Sequence, residues 1–308
     1  MRAVSILLLA ASQVFAASDP SLGRLERQIE FVAHATDGIL GVSAIHIESG
    51  RSVSVRGGES FPMASAFKLP IAVQVMTLVD SGTVTLDKIV TLTPQDLHPG
   101  SGKISELLFH PGVALSVENL LELMLVVSDN SAADLMLREA GGPAMISAWQ
   151  GAKNIPAESE WNKDMWDKLY DAVPQREHMA ARRAEMADPR DTATPDDMTR
   201  LLVHVWKKDL FSARNADDLL GMMERCETGK ARIKGMLPEG TPVAHKTGTL
   251  GGVANDVGVI TLPGDLGHVA ISVFTKSSNK PEEAAEKAVA EVSRTIYDYF
   301  VLVPAVRN

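Results

Sequence analysis

Ser65 and Lys68, in the stretch FPMASAFKLP (61–70), stand three residues apart. In a helix that spacing puts both side chains on one face, close enough to touch. The residues around them, Phe67, Leu69, Ile71, Ala72 and Val73, are apolar. Lys68 therefore either snorkels to water along an apolar surface or stays in a low-dielectric pocket, where burial disfavours its charged form. In the second case it is a general base beside a hydroxyl nucleophile. S-x-x-K alone arises by chance once in roughly a few hundred residues, so the pair needs corroboration. Two triplets supply it: Ser128-Asp129-Asn130 and Lys246-Thr247-Gly248. Each arises by chance roughly once in several thousand residues, and all three in this order make chance a poor explanation.

The elements that must position these groups follow from periodicity. SLGRLERQIEFVAHATDG (21–38) places Leu22, Leu25, Ile29, Phe31 and Val32 on an amphipathic helix stopped by Asp37-Gly38. LGVSAIHIESGRSVSVRG (40–57) alternates on both sides of Ser49-Gly50, as a β-hairpin does. The Ser65 helix follows. Residues 83–225 are mostly helical in pattern, and in SVENLLELMLVVSDNSAADLMLREAGG (116–142) two helices join at Ser128-Asp129-Asn130. Thr194 followed by Pro195 opens another helix, and SARNADDLLGMMERC (212–226) reads as one more. After residue 240 come three strand-like runs, 241–250, 256–264 and 267–276, then a final helix over 280–301. Short connections favour antiparallel pairing. The five strands are expected in one sheet, with the first and last helices on one face and the helical middle as a second lobe. Lys246-Thr247-Gly248 falls on a strand and Ser128-Asp129-Asn130 on a turn between helices.

Composition narrows the function classes. The chain has 308 residues, 45% of them apolar and 22% charged, with a formal net charge of −9. An acidic chain without a dense basic cluster argues against nucleic-acid binding. ARRAE (181–185), the nearest candidate, reads as a solvated helix face. Residues 1–16 read as a secretory signal: Arg2, the apolar AVSILLLAA (3–11), then VFA ending at Ala16. The apolar run is too short to span a bilayer. The mature chain is thus expected to be periplasmic or secreted, free of the membrane and monomeric. Cys226 is the only cysteine, which excludes an internal disulfide and a zinc–cysteine cluster, and it reads as structural. The eight histidines show no close metal-ligand spacing, so neither metal nor cofactor is expected.

S-x-x-K, S-D-N and K-T-G occur together in class A β-lactamases and penicillin-binding proteins. The chain closely resembles class A serine β-lactamases over nearly all of its mature length. LGVSAIHIESG (40–50), DNSAADLMLREAGGP (129–143), DPRDTATPDDM (188–198) and HKTGTLGGVANDVGVI (245–260) carry the likeness beyond the triplets. The resemblance implies an α+β fold: a five-stranded antiparallel sheet flanked by helices (about 20–62 and 225–303) and an all-helical lobe (about 63–224). The active site would lie between them. The resemblance also implies roles. Ser65 attacks the β-lactam carbonyl and is acylated, and Lys68 takes or relays the proton. Ser128 delivers a proton to the lactam nitrogen. Lys246 supplies a fixed positive charge towards the substrate carboxylate, to which Thr247 offers its hydroxyl. Asn130 holds the acylamide side chain and helps fix Lys68. The backbone amides of Ser65 and Thr249 form the oxyanion hole, and Gly248 lets the strand edge come close to the substrate. Asp129 reads as a structural carboxylate that bonds nearby backbone. Lys234, twelve residues before Lys246, is either a second partner for the carboxylate or a solvated lysine.

Hydrolysis of the acyl-enzyme needs a base. The family's E-x-x-x-N pattern falls on Glu158 and Asn162 in AESEWNKDMWD (157–167), with Glu160 and Asp164 as rivals and a plain surface carboxylate as the other reading of Glu158. The family arginine before the glutamate is missing. Its aspartate partner would be Asp191, and KLYDAVPQREHMAARRAEMA (168–187) is additional helix-like chain. The leading expectation is a secreted serine β-lactamase acting on small-molecule β-lactams. The alternatives are a D-alanyl-D-alanine peptidase or transpeptidase, and a β-lactam sensor without turnover. The absence of a membrane anchor after the domain weighs against both.

Overall fold

The protein is described here by a computed structural model covering residues 20–35, 38–98, 101–142 and 191–303. The signal-like segment 1–16 lies outside the described residues, as do Glu158, Glu160, Asn162 and Asp164. The helices are α1 (Pro20–Ala35), α2 (Lys68–Asp80), α3 (Ile104–Leu107), α4 (Val117–Val126), α5 (Asn130–Glu139), α6 (Pro195–Lys207), α7 (Ala213–Glu224) and α8 (Glu282–Leu302). The strands are β1 (Ile39–His46), β2 (Ser52–Val55), β3 (Phe61–Pro62), β4 (Ile89–Thr91), β5 (Ala114–Ser116), β6 (Thr192–Ala193), β7 (Val243–Leu250), β8 (Val253–Thr261) and β9 (His268–Lys276).

Five strands form one antiparallel sheet in the order β2-β1-β9-β8-β7, so the hairpin at the start of the chain joins the three late strands as expected. Alternate residues of β9 enter two cores, as a period of two requires. Val269, Ile271 and Val273 pack with α1 and α8, whereas Ala270 and Phe274 pack with the helical lobe. A sheet buried on both faces explains why β8 and β9 read as nearly unbroken apolar runs. Along α1, Leu25 and Ile29 are fully buried, but Phe31 is 78% exposed. Two residues beyond Ile29, at 100° per residue, Phe31 points off the apolar stripe.

The second core is helical. α2 supplies Leu69, Ile71, Ala72, Val73, Val75 and Met76 to it, all fully buried among α4, α5 and α7. Helices α4, α6 and α7 each start on a side-chain cap, at Ser116, Thr194 and Ser212, and Pro195 occupies the first turn of α6 where no N–H is needed. Among the described residues no helix is long and apolar enough to cross a membrane. The edge strand β7 lies against the turn that opens α2, which sets the place of the site.

Candidate active site

Ser65 sits half-buried on a 3-10 turn, Ala64–Phe67, that leads directly into α2. In a 3-10 turn residues i and i+3 eclipse, so Ser65 and Lys68 share a face here as they would on an α-helix. Ala64, just before the serine, has φ +47°, a left-handed conformation that costs an alanine energy. The surroundings hold it there. Ala64 N donates to Asp191 Oδ2 at 2.9 Å and Met63 N to the Asp191 carbonyl at 3.0 Å. From the sheet, Asn255 Nδ2 donates to the carbonyls of Pro62 and Met63 at 2.7 and 3.1 Å. Asp191 thus anchors the serine's turn itself.

Lys68 is fully buried, which removes the snorkelling reading. Its ammonium donates to the Ser128 carbonyl at 2.8 Å and to Asn130 Oδ1 at 2.6 Å, and lies 3.4 Å from Ser128 Oγ. Ser128 is also left-handed, φ +59°, in the turn between α4 and α5. Asp129 is structural, as expected: Oδ1 caps α5 at Ala132 N, 2.9 Å, and Oδ2 accepts from Ile104 N at 2.8 Å.

The far wall is β7. Lys246, fully buried, donates to Ser128 Oγ at 3.0 Å and to the Thr247 carbonyl at 2.8 Å. One hydroxyl oxygen therefore lies between two ammonium groups from different lobes. Burial pulls the Lys246 pKa down to about 7; the charges of Lys68 and Arg232 add to that, while Cys226 and Asp256 oppose it. The positive charge at Lys246 is thus conditional on its neighbours, not fixed. Thr247 Oγ1 lies 2.5 Å from Thr228 Oγ1, a doubled hydroxyl beside the ammonium. Gly248 has a steric reason: a Cβ there would sit 2.2 Å from the Met63 carbonyl oxygen and 3.0 Å from Ala66 N. The close approach it permits is to the turn carrying Ser65, and it brings Thr249, the next residue, alongside that turn.

Lys234 does not reach this wall through its ammonium, which lies 3.5 Å from the Glu224 carbonyl. The second cation at β7, beside Lys246, is Arg232, only 2% exposed. It donates to the carbonyls of Gly248 (3.1 Å) and Asn255 (3.0 Å), to Thr249 Oγ1 (2.7 Å), and to Glu282 (2.8 Å) and Glu286 (3.0 Å). Arg232, Asn255 and Thr228 are the site residues that sequence reasoning missed. In ETGKARIKG (227–235) Arg232 looks like one more solvated cation. Asn255-Asp256, a polar pair inside an apolar strand, was the signal that could have found Asn255.

Ser65, Lys68, Ser128, Asn130, Lys246, Thr247, Gly248 and Thr249 are thus gathered along one seam between the lobes. Residues 24–300 match the family model described as "Beta-lactamase enzyme family". The chain is 30% identical over 315 residues to "Beta-lactamase VEB-1" of Pseudomonas aeruginosa, covering 98% of each chain. The crystal structure of TLA-1 extended-spectrum β-lactamase superposes with a TM-score of 0.78 at 26% identity, covering 91% of this chain and 99% of that one. An ancestral (GNCA) class A β-lactamase superposes with a TM-score of 0.76 at 31% identity, covering 89% and 99%.

Proposed function

Since the chain belongs to the β-lactamase enzyme family as a class A serine enzyme, we propose that it hydrolyses β-lactam antibiotics through an acyl-enzyme on Ser65. The observation that carries this reading is the Ser128 hydroxyl, 3.0 Å from Lys246 Nζ and 3.4 Å from Lys68 Nζ, beside the turn of Ser65. Neither lysine is solvated, so little water competes for a proton taken from Ser65.

Ser65 Oγ attacks the lactam carbonyl while Lys68 accepts its proton. The oxyanion is met by the amides of Ser65 and Thr249, preorganised donors in a dry site. Ser128 passes a proton to the lactam nitrogen as the ring opens. Lys246, with Thr247 and Thr228, takes the substrate carboxylate, whose charge favours the protonated lysine. Asn130 keeps Lys68 in place and offers its amide to the acylamide group. Glu158, by its E-x-x-x-N spacing, activates the water that releases the product. The chain is exported by residues 1–16 and works as a monomer in the periplasm or outside the cell. No cofactor enters this scheme.

The test is a chromogenic cephalosporin mixed with purified protein. Sustained turnover supports the proposal; a burst of one equivalent followed by near-silence assigns the peptidase or sensor reading instead. Ser65→Ala should also abolish labelling by a fluorescent penicillin while circular dichroism stays unchanged.

A further inference from the structure

Asn255 is a fully buried amide on β8, and the mechanism above does not use it. Both ends of its side chain are engaged. Nδ2 donates to the Pro62 carbonyl at 2.7 Å and to the Met63 carbonyl at 3.1 Å, and Oδ1 accepts from Thr275 N at 2.9 Å. These partners fix which end of the amide is which, since a carbonyl only accepts and a backbone N–H only donates. The β8–β9 ladder pairs residues as far as Asp256 and Val273. Beyond them side chains take over: Asn255 Oδ1 meets Thr275 N, and Thr275 Oγ1 accepts from Ala254 N at 2.7 Å. The amide therefore ties β9, the middle strand of the sheet, to the two residues that lead into the turn of Ser65.

The N–H groups of the same stretch belong to Asp191, which accepts from Met63 N at 3.0 Å and Ala64 N at 2.9 Å. Asn255 holds the carbonyls of residues 62 and 63; Asp191 holds the amides of 63 and 64. Four ties on three consecutive residues over-determine the backbone, which is the condition for Ala64 to keep φ +47°. The Met63 carbonyl also accepts from Ala66 N at 3.2 Å, the bond that closes the turn. Ser65 N thus lies between two amides, those of Ala64 and Ala66, whose directions are both set.

Gly248 is part of the same device. It pairs with Asn255 across β7 and β8. A Cβ there would fall 2.2 Å from the Met63 oxygen, the atom that Asn255 Nδ2 reaches. Arg232 Nη1 donates to both main-chain carbonyls of this pair, at 3.1 Å for Gly248 and 3.0 Å for Asn255. Thr249 follows Gly248 directly.

We propose that Asn255 is a positioning residue for the oxyanion hole. Its side chain sets the turn that aims the Ser65 N–H. Its main chain, paired with Gly248 and held by Arg232, sets the strand that carries the Thr249 N–H. One residue thereby fixes the spacing of two donors that come from different parts of the fold. Such donors act where charge develops, so Asn255 bears on the transition state and not on the first association of substrate. The inference rests on the reading of the Ser65 and Thr249 amides as the oxyanion donors.

Phenylboronic acid tests this without a carboxylate for Lys246. Its boron takes up Ser65 Oγ, with loss of the serine proton, and becomes a tetrahedral anion as the acylation intermediate does. Asn255→Asp keeps the size of the side chain and removes both donated bonds; Asn255→Ser, which buries no charge, carries the same test if the aspartate variant does not fold. Acylation by a chromogenic cephalosporin, read in single turnovers, should slow by about 10–100-fold, less than the 10²–10³ of losing an oxyanion donor outright. Boronate affinity should fall by the same factor. In a Ser65→Ala background the dissociation constant of a carboxylate-bearing β-lactam should change by less than about twofold, because that binding precedes the oxyanion. Asn255→Ser and Gly248→Ala disturb the same carbonyl, so their combined loss should be smaller than the product of the separate losses. Unchanged boronate affinity in a variant whose urea midpoint has fallen would reduce Asn255 to a brace of the fold and overturn the proposal. Loss of affinity in the Ser65→Ala background in step with acylation, or strictly multiplicative losses in the double variant, would overturn it too. A wild type that takes up no boronate at Ser65 would sink the oxyanion reading, and this inference with it, before any Asn255 variant is compared.

Discussion

Replacing Arg232 by methionine tests whether the buried guanidinium holds the outer strand against the nucleophile's turn. The change keeps most of the side-chain volume and removes every donor. In the native protein Arg232 satisfies two backbone carbonyls, Gly248 at 3.1 Å and Asn255 at 3.0 Å, inside a site where it is 2% exposed. Both carbonyls also pair in the β7–β8 ladder, so the change removes the second, charge-assisted bond to each, about 1.5–3 kcal/mol apiece. Glu286, 19% exposed, loses its partner as well, whereas Glu282, 51% exposed, can turn to water. The sum is about 3–5 kcal/mol, the range found when one partner of a buried ionic group is removed. With a urea slope of about 3 kcal/mol/M, the upper end for small proteins, the unfolding midpoint should fall by about 1–2 M. Glu282→Gln is the control: a half-exposed ion pair contributes under about 1 kcal/mol, so its midpoint should barely move. If Arg232→Met unfolds at the wild-type urea concentration, or Glu282→Gln falls as far as Arg232→Met, the buried carbonyls are not what the arginine stabilises.

Glu158→Gln should leave Ser65 acylation in place and stall hydrolysis by about 10²–10⁴-fold, so intact-mass spectrometry should show a long-lived penicillin adduct. If Glu160→Gln or Asp164→Asn accumulates the adduct in its place, the base lies at that position. Gly248→Ala forces a Cβ to within 2.2 Å of the Met63 oxygen; acylation should slow at least tenfold and stability should drop by about 1–3 kcal/mol, the usual cost of overpacking. A variant of wild-type rate would mean that β7 is free to withdraw. For the wild type, Lys246 lowered to about 7 predicts that kcat/KM for carboxylate-bearing substrates declines as pH rises through that value, because only the protonated lysine attracts the anion. In kcat the decline should come at higher pH, since the bound carboxylate raises the lysine; coincident limbs in both parameters would contradict the assignment.

Most of the fold was legible because its signals are local. The hairpin turn at Ser49-Gly50, the cap at Thr194 with Pro195, and the period-two strands each state their conformation within a few residues. The three triplets were legible because rare residue combinations in order carry information that composition does not. What escaped depends on pairing across the chain. Arg232 looks like its neighbours Lys230 and Lys234 in sequence; only the docking of the Ile233–Met236 turn against α8, with Arg232 reaching β7, buries the one and leaves Lys234 nearer the surface. The buried His245–Asp256 pair escaped because the register that sets it, Lys246 opposite Val257 and Thr247 opposite Asp256, is a property of the sheet. Phe31 escaped for the opposite reason: an apolar residue in an apolar segment was assigned to the stripe although its angle excludes it.

Ser128 shows why the two lobes must meet for any chemistry to occur. Lys68 comes from α2, Ser128 from the turn before α5, and Lys246 from β7 on the other lobe. A serine hydroxyl has one proton to give and two lone pairs to receive. With ammonium groups on both sides, at 3.0 and 3.4 Å, it can accept from both, but it then has no basic neighbour for its own proton. Two like charges sharing one oxygen in a dry seam also repel strongly, and one of them tends to lose its proton. Proton delivery from Ser128 requires that state, because a neutral lysine can refill the hydroxyl after it has donated. The proposed acylation of Ser65 through Lys68 requires it too, because an amine accepts a proton only when neutral. On the proposed mechanism a carboxylate arriving at Lys246 biases the choice, because it stabilises the charge on Lys246. On the proposed mechanism, the anion that the substrate carries is therefore part of how the base is prepared, and the charge environment of Lys246 bears on the rate of the chemical step as well as on binding.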